Sequence, residues 1–336
     1  MRNGRRTTSV TALSVAALLG LTACGGDSDD GGGSAAAAEG GVTTVTVGYN
    51  PASQFAPMFV GMDQGIFEEH GVELELVPQT DVAAIISGVA SGQYDFGFAT
   101  VVHVINARAN NIPIKAVATP DGQQATEEAD DMGNALVAGP DSGITDAGDL
   151  EGKTLGVIGL ASLNTLAAQE LADQAGVDPT SMQLVQMPFG QMPAALAAGD
   201  IDAAVVQSPF IAEAVASGST VIAKPNVELF ADSAVGLFTT SEQKIAEDEE
   251  VVRGFAEAMV ESQRYAAEHV DEARQTLVEH LGLTPEAAAA ATWCTTCTPE
   301  LDTDGFTTAQ ELMEKYAGLE DAPDVDEYVW EPALDL

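Results

Sequence analysis

Two cysteines separated by two residues form the most chemically distinctive motif in the C-terminal part of the sequence. Cys294 and Cys297 make a Cys-x-x-Cys pair, a spacing that suits a disulfide, a metal site or a redox centre. A metal site needs further soft ligands, and no second pair of this kind exists. A redox centre would want a βαβ context, whereas this region has a helical pattern. A structural disulfide between Cys294 and Cys297 is favoured over the other two, because it fits the oxidising location that the N-terminal targeting pattern described below predicts.

Other catalytic signatures are sparse. The sequence has no Walker loop, no Gly-x-Ser-x-Gly elbow and no His-Glu-x-x-His helix. Of its four histidines, only His103 follows a predicted strand end, where α/β proteins usually bind ligands. His103 is either a ligand contact or a helix-terminal residue that touches backbone. These observations predict a binding protein that is not an enzyme and that uses no metal and no cofactor.

The charge balance narrows the possible partners. Against 52 aspartates and glutamates there are 12 lysines and arginines, so the formal net charge is −40. Phosphate binding needs a basic surface, so this composition speaks against a nucleic-acid partner. With 46% hydrophobic residues the chain is expected to be globular. The acidic residues are scattered, which is typical of a solubilising surface.

The first residues have the pattern of a targeting segment. Three arginines precede an apolar run over Val10–Leu21, which ends at Leu21-Thr22-Ala23-Cys24. This ending resembles a bacterial lipobox, which implies cleavage before Cys24 and diacylation of its thiol. The alternative is an ordinary signal peptide that is cleaved near Ala23.

The lipobox interpretation predicts the location of the protein. Residues 1–23 are then the signal peptide, and residues 24–41, rich in Gly, Ala, Ser and Asp, are a flexible tether. We expect the protein to be exported and held by lipid on Cys24 at the outer face of the cytoplasmic membrane.

From Val42 onward, short β-like runs alternate with helical runs, which predicts α/β layers with largely parallel strands. The predicted strands are Thr43–Tyr49, Glu73–Val77, Phe96–Ala99, Ile114–Ala118, Ala135–Ala138, Thr154–Ile158, Gln183–Gln186, Ala203–Gln207 and Gly236–Thr239. The predicted helices between them are Pro57–Gln64, Val82–Ser91, Val101–Ala109, Asn164–Ala175, Met192–Ala198 and Pro209–Ala216. After Ser241 the pattern is helical, over Glu250–His269, Val270–Leu281, Pro285–Trp293 and Gly305–Tyr316. We expect these last helices to pack mainly on the first lobe.

A weak internal repeat indicates two related lobes. Ala90–Phe98 is similar to Ala197–Val205 at an offset of 107 residues, and each copy has the pattern of a helix, a glycine stop, a turn with Asp and a buried strand. Val47–Tyr49 and Gly156–Ile158 are similar at nearly the same offset. Chance similarity between α/β units is the alternative, and two matches at nearly the same offset favour two related lobes.

Several short blocks lie in order between Val42 and Gln243. They are Tyr49-Asn50-Pro51, Ala56-Pro57, Gly65–Leu74, Ser87-Gly88, Gly92–Gly97, Asp149–Lys153 and Ala195–Ala204. Together these blocks resemble the nitrate/sulfonate/taurine and thiamine-precursor group of ABC-transporter substrate-binding proteins. The resemblance implies a type II periplasmic-binding-protein fold, in which two α/β lobes are joined by a two-strand hinge with a ligand cleft between them. On this basis the first lobe comprises residues 42–138 and 234–336, and the second lobe comprises residues 139–233. The chain would cross between lobes near Val137–Asp141 and return near Ala234–Leu237.

The loops that follow predicted strands supply the candidate ligand contacts. Any one of them is otherwise a cap, a turn or a core residue. The candidates are Tyr49, Asn50, Gln54, Phe55, Asp81, Thr100, His103, Gln123, Ser162, Leu163, Asn164, Phe189, Gln191, Gln207 and Phe210. The set contains aromatic and amide side chains and no Lys or Arg, which suits a planar, an uncharged polar or a monocarboxylate ligand. Backbone amides near Ser162 could also hold an oxyanion.

The resemblance implies a monomer that captures a small solute and delivers it to the permease and ATPase subunits of an ABC importer. Two alternatives remain. The same family includes yeast-type pyrimidine synthases of thiamine, which carry a cysteine-rich motif that this sequence lacks. A ligand-sensing subunit of a membrane receptor is the other alternative.

Overall fold

The computed structural model describes most of the chain after the predicted tether. The described residues are 41–121, 134–207, 210–230, 233–289, 291 and 298–336. The predictions for Cys24, Gln123, Cys294 and Cys297 lie outside them. None of the described helices is both long enough and apolar enough to cross a membrane.

Strands and helices alternate through the first two thirds of the described chain. The strands are β1 (Thr43–Tyr49), β2 (Val72–Pro78), β3 (Phe96–Thr100), β4 (Ile114–Ala118), β5 (Asn134–Ala138), β6 (Thr154–Val157), β7 (Gln183–Gln186), β8 (Ala203–Gln207), β9 (Thr220–Ala223) and β10 (Gly236–Ser241). The helices are α1 (Ala56–Asp63), α2 (Ile66–Glu69), α3 (Val82–Ala90), α4 (Val101–Ala109), α5 (Leu163–Gln174), α6 (Met192–Ala198), α7 (Phe210–Ala216), α8 (Pro225–Phe230), α9 (Glu242–Glu247), α10 (Glu249–Glu268), α11 (Val270–Leu281), α12 (Pro285–Ala289) and α13 (Asp304–Tyr316).

The described strands form two sheets with the same plan. The first has the order β2-β1-β3-β10-β4, and the second has the order β7-β6-β8-β5-β9. In each sheet the first three strands are parallel, and the fourth runs antiparallel to its neighbours. That fourth strand directly follows a crossing between the lobes, so each sheet is mixed rather than purely parallel. The predicted α/β fold with two lobes is confirmed.

The internal repeat is visible in matching hydrogen bonds. In the first lobe, the Asp95 amide donates to the Thr46 carbonyl over 2.9 Å, and the Thr46 amide donates to Asp95 Oδ2 over 2.8 Å. In the second lobe, the Asp202 amide donates to the Thr154 carbonyl over 2.9 Å, and the Thr154 amide donates to Asp202 Oδ2 over 2.8 Å. The turn aspartate therefore pins the start of one strand to its neighbour in both lobes.

The glycine before each of these turns has the same conformation. Gly92 follows α3 and Gly199 follows α6, and both have a φ of +74°. A side chain is disfavoured in this left-handed region, so glycine ends each helix and lets the chain turn toward the strand.

The core of the first lobe contains several phenylalanine rings in contact with one another. Phe96 on β3 stacks on Phe255 of α10 with ring centroids 3.9 Å apart, and Phe238 on β10 meets Phe255 edge-on at 5.4 Å. Helices α10 and α11 also pack on α1, as predicted for the C-terminal region. The chain end completes the sheet, because Val329 pairs with Ala116 beside β4.

The first predicted lobe boundary needs correction. Residues 134–138 form β5, which pairs with β8 and β9 in the second sheet. The first crossing therefore lies before residue 134, not near 137–141, and a boundary at residue 138 is too late. Local apolar pattern identified the strand, but only its long-range partners show to which sheet it belongs. The predicted return at residue 234 falls between α8 and β10.

Several elements differ from prediction. The short helices α2, α8 and α9 were not predicted. Strand β9 was also missed, and its place depends on pairing with β5, a partner far away in sequence. Helix α13 also differs from the expectation for the C-terminal helices, since it contacts α5 of the second lobe as well as α4 of the first.

Candidate ligand-binding site

The candidate site is built on one edge of each sheet. Strands β1 and β3 end at Tyr49 and Thr100, and strands β6 and β8 end at Val157 and Gln207. In an α/β sheet the loops after the carboxyl ends of parallel strands form the usual binding crevice. Most of the predicted contact residues lie in these loops.

Aromatic side chains fill the first lobe directly beneath this edge. The Tyr49 and Phe55 rings meet edge-on at 5.4 Å, and Phe55 meets Phe98 edge-on at 5.2 Å. Tyr49 is buried and Phe55 is completely buried, so both belong to the core. Burial raises the pKa of the Tyr49 hydroxyl. The two rings fix the loop that carries Asn50 and the half-buried Gln54.

Asn50 carries an unsatisfied acceptor at the end of β1. Its Oδ1 atom is buried and has no hydrogen-bond partner among the described residues. A buried polar atom without a partner destabilises a protein by about 1–3 kcal/mol. A ligand that donates a hydrogen bond would remove this penalty, so Asn50 is well suited to contact one.

Thr100 and His103 form a polar pair at the end of β3. Thr100 Oγ1 and His103 Nδ1 lie 2.7 Å apart. Burial lowers the pKa of His103, and the opposing attraction of Asp81 is smaller. The imidazole is therefore neutral at pH 7 and offers one donor and one acceptor. Asp81 itself is exposed and caps α3 by accepting the Ala83 amide over 2.9 Å.

The segment after β4 contains a buried acid that the sequence did not single out. Asp121 is buried, and burial raises its pKa to about 7. Nearby in sequence, the Thr119 carbonyl accepts from Gln263 Nε2 of α10 over 2.7 Å. Gln263 Oε1 is buried and has no partner among the described residues. No local pattern marks Gln263, because it reaches this edge from a distant helix.

In the second lobe, the start of α5 brings hydroxyl and amide groups to the edge. Ser162 caps the helix, with its Oγ 3.3 Å from the Thr165 amide. Asn164 Nδ2 donates to Asn134 Oδ1 over 2.9 Å, and Asn134 lies opposite the exposed Gln207 in the β5–β8 register. Asn134 was missed because it begins β5, whereas the candidate contacts were sought in loops that follow strands. Since β5 is antiparallel, its first residue lies at the edge where the parallel strands end.

Apolar side chains flank these polar groups. Phe189 and Phe210 are half-buried and pack on the core of the second lobe, and the Phe210 ring lies so close to Gly190 that an added Cβ would be 3.3 Å from it. Leu160, after β6, is 56% exposed. Gln191 is exposed at the start of α6. The second lobe therefore contributes apolar surface beside its amides.

Leu163 has a different position from its neighbours in α5. It is buried in the apolar cluster of the first lobe together with Leu166 and Ala167. Its side chain therefore packs between the lobes. The residues on either side of it, Ser162 and Asn164, make the polar contacts at the binding edge.

Comparison with known proteins decides the family. The NMT1/THI5-like family matches residues 52–273 of the 336. This chain belongs to the NMT1/THI5-like family.

Two curated relatives are named 4-amino-5-hydroxymethyl-2-methylpyrimidine phosphate synthase. The one from Legionella pneumophila is 28% identical over 131 residues, 39% of this chain and 38% of that protein. The one from Aspergillus parasiticus is 27% identical over 179 residues, 52% of this chain and 49% of that protein. The chain thus spans about half or less of these relatives.

Solved structures show the fold over nearly the whole described chain. The periplasmic aliphatic sulphonate binding protein SsuA from Escherichia coli has a TM-score of 0.69 at 15% identity, covering 88% of this chain and 99% of that one. A Candida albicans protein with the generic periplasmic binding protein fold has a TM-score of 0.65 at 20% identity. The match covers 86% of this chain and 96% of that one. The protein therefore has the periplasmic-binding-protein fold.

The relatives correct one expectation. The sequence was expected not to encode an enzyme because familiar catalytic motifs are absent, yet the curated relatives bear the name of a synthase. That exclusion was wrong. The same fold hosts binding proteins and enzymes, so missing motifs do not separate the two classes.

Proposed function

We propose that this protein captures a small organic solute between its two lobes and delivers it to an ABC-type importer. The observation that carries the proposal is the pair of polar edges on equivalent strands of the two sheets. Asn50 and His103 lie at the edge of one lobe, and Asn134 and Asn164 lie at the edge of the other. The likeness to a sulphonate-binding protein over 88% of the chain also favours capture of a small solute.

Capture works by hinge closure. A ligand in the cleft touches both edges only when the lobes are shut, so its binding energy shifts the population toward the closed form. The closed form presents a distinct surface that permease subunits can recognise. Lipid on Cys24 and the tether over residues 24–41 would keep the monomeric binding protein beside the importer.

The side chains favour a flat ligand that carries hydrogen-bond donors. Asn50 Oδ1 needs a donor, and the Phe189 and Phe210 rings offer apolar faces. Nitrate and sulfonate groups bring only acceptors and would leave Asn50 Oδ1 unpaired. An aminopyrimidine brings both an amino group that can donate to Asn50 Oδ1 and a flat ring that can pack on the two phenylalanines. The names of the curated relatives describe a compound of this kind. We propose a pyrimidine-type heteroaromatic as the ligand class.

A thermal-shift screen tests the proposal. Residues 41–336 would be heated with aminopyrimidines, aromatic carboxylates, flavins, alkanesulfonates, taurine, nitrate and bicarbonate. A compound at 100 times its Kd should stabilise the protein by about 2.7 kcal/mol. We expect aminopyrimidines to give the largest shift. No shift with any compound would contradict the proposal.

Two asparagine variants locate the binding. Asn50→Ala should weaken binding of the best compound by about tenfold or more, because the variant loses a buried hydrogen bond. Asn110→Ala is the matched control, since Asn110 lies beyond the opposite end of α4 and bonds only its own helix over 2.8 Å in the described structure. Equal affinity in both variants would place the ligand elsewhere.

A catalytic role in pyrimidine assembly is the second candidate, favoured by the names of the curated relatives. Residues 41–336 can be produced in the cytoplasm of a strain that lacks its pyrimidine synthase. Growth without added pyrimidine would support the enzyme. Absence of growth, with folded protein present and the pyrimidine bound in the thermal-shift screen, would support the binding protein.

A further inference from the structure

Helix α13 is shared between the two lobes. On one side it packs on α4 of the first lobe, and on another it packs on α5 of the second. Leu166 and Ala167 of α5 are buried in the same apolar cluster as Phe306 and Met313 of α13. This contact between α13 and α5 lies outside the candidate ligand site.

The first lobe holds α13 firmly. Phe306 stacks on Tyr328 with ring centroids 5.2 Å apart, and the Tyr328 hydroxyl donates to Gln310 Oε1 over 2.7 Å. Tyr328 precedes Val329, which pairs with the β4 residue Ala116. Helix α13 is therefore a rigid extension of the first sheet.

The beginning of α13 is tied to the segment that returns to the first lobe. Asp302 Oδ2 accepts the Ala234 amide over 3.0 Å, while Asp302 Oδ1 accepts the Asp304 amide over 2.7 Å. A Cβ at Gly305 would lie 2.6 Å from the Ala234 carbonyl oxygen, so only glycine permits this approach. One end of the helix is thus fixed at a hinge segment.

The other end of α13 is bonded to the second lobe. Lys315 Nζ lies 2.7 Å from Glu170 Oε2 and 2.7 Å from Asp173 Oδ2, both on α5. The Tyr316 hydroxyl donates to Glu170 Oε2 over 2.8 Å. We call these four residues the inter-lobe latch.

The latch remains charged over the neutral pH range. Burial would raise the pKa of Glu170, but hydrogen bonds from Lys315, Tyr316 and Gln174 outweigh it and lower that pKa. The Glu170 side chain is 16% exposed and the Lys315 side chain is 45% exposed. The pair is therefore partly screened by water, and its contribution is modest but sensitive to salt.

Helix α5 connects the latch to the binding edge. Its first turn holds Ser162 and Asn164 at that edge, and its last turns carry Glu170 and Asp173. A helix of this length moves as a rigid rod, so a displacement at one end is accompanied by a displacement at the other.

We propose that the inter-lobe latch sets the resting angle between the lobes and so tunes ligand affinity from outside the cleft. The proposal rests on the hinge closure proposed above. Breaking the latch removes the polar contacts between α5 and the end of α13, leaves only their apolar contact, and allows the second lobe to sample more orientations. The intact latch stabilises one of them.

Inter-lobe distances measured without ligand test this directly. Spin labels would be attached through non-canonical amino acids at the exposed Ala84 on α3 and Ala216 on α7, so that no cysteine is used. Double electron–electron resonance on the full chain then gives the distance distribution. Glu170→Gln and Lys315→Ala should each broaden it and change the ratio of its populations by roughly two- to five-fold.

Controls separate the latch from general effects of charge. Glu249→Gln removes a carboxylate that pairs with Arg253 over 3.5 Å within α10, and it should leave the distribution unchanged. The exchanged pair Glu170→Lys with Lys315→Glu keeps one contact between opposite charges but sets the new carboxylate beside Asp173, so it should recover the original distribution only in part. About 1 M salt should move the original protein toward the Glu170→Gln result.

Unchanged distributions in both Glu170→Gln and Lys315→Ala would overturn the latch, as would an equal change in Glu249→Gln. Should Lys315→Ala fail to fold, Lys315→Met keeps the apolar stem and removes the charge. Because no ligand is added, a failed latch is distinguishable from a failed ligand screen.

Discussion

The two lobes share one strand order but differ in what covers their sheets. In the first lobe, α10 and α11 and the chain end close over a core that includes the stacked Phe96 and Phe255. The second lobe has two smaller apolar clusters, one on each face of its sheet. Its edge strand β7 even exposes Val185, at 37%. The same strand order therefore supports a larger apolar core in the first lobe than in the second.

The two edges proposed to bind the ligand differ as well. The 107-residue offset of the repeat pairs His103 with Phe210 and Thr100 with Gln207. The first lobe therefore places a hydrogen-bonding imidazole where the second places an apolar ring. The ligand is expected to meet the imidazole on the first lobe and, beside the amides of Asn134 and Asn164, an apolar ring on the second lobe.

The largest expected effect tests the contrast between the cores. Phe255→Ala should lower the free energy of unfolding by about 3–5 kcal/mol, because it leaves a cavity among packed rings. Phe210→Ala should lower it by about 1–2 kcal/mol, since that ring is only half-buried and its site can collapse. Denaturant unfolding of both variants measures the difference. Equal losses would show that the lobes are equally packed.

The paired turn aspartates give a smaller contrast. Asp95 also bonds the Thr46 hydroxyl over 3.0 Å and pairs with Lys244 at 3.1 Å. Asp95→Asn should therefore destabilise the protein by about 2 kcal/mol, and Asp202→Asn by about 1 kcal/mol. Denaturant unfolding at pH 7 compares the two. The reverse order would contradict the view that the first lobe is more strongly held.

The contribution of Asp95 depends on pH in a defined direction. Burial would raise the pKa of Asp95, but bonds from Thr46 and Lys244 outweigh it and hold the pKa below its usual 3.8. The folded state therefore binds the proton less tightly than the unfolded state. The stabilisation by this carboxylate is present above pH 3.8 and is lost as the pH falls through the folded pKa. The Asp95→Asn penalty should shrink over that same range.

The smallest expected effect concerns His103 and Phe210, which the repeat places at equivalent positions in the two lobes. Burial lowers the pKa of His103 below its usual 6.5, so the folded state binds fewer protons than the unfolded state. Stability contributed by this residue rises with pH up to about 6.5. His103→Gln should flatten the stability profile just below that pH, whereas Phe210→Ala should leave its shape unchanged. An unaltered profile in His103→Gln would contradict the buried, neutral imidazole.

Sequence patterns predicted the parts of the structure that depend on local order. The glycine stop and the turn aspartate identified β3 and β8, because these signals lie within a few residues of each strand. The assignment of residues 134–138 to the wrong lobe and the missed β9 both depend on strand partners far away in sequence.

The sequence also predicted only those features of the candidate site that depend on local order. Strand ends pointed to Asn50, Thr100 and Ser162, but the unpaired Oδ1 of Asn50 and the buried carboxyl of Asp121 arise from tertiary packing. Gln263 belongs to a helix with no sequence connection to the edge.

The most direct test of the central claim measures lobe closure on binding. Labels at Ala84 and Ala216 report the inter-lobe distance while the compound with the largest thermal shift is titrated into the protein. Closure predicts a saturable conversion to a shorter distance, with a midpoint at the Kd and displaced to higher concentration in Asn50→Ala. A distribution that stays unchanged while the compound binds saturably would contradict capture between the lobes.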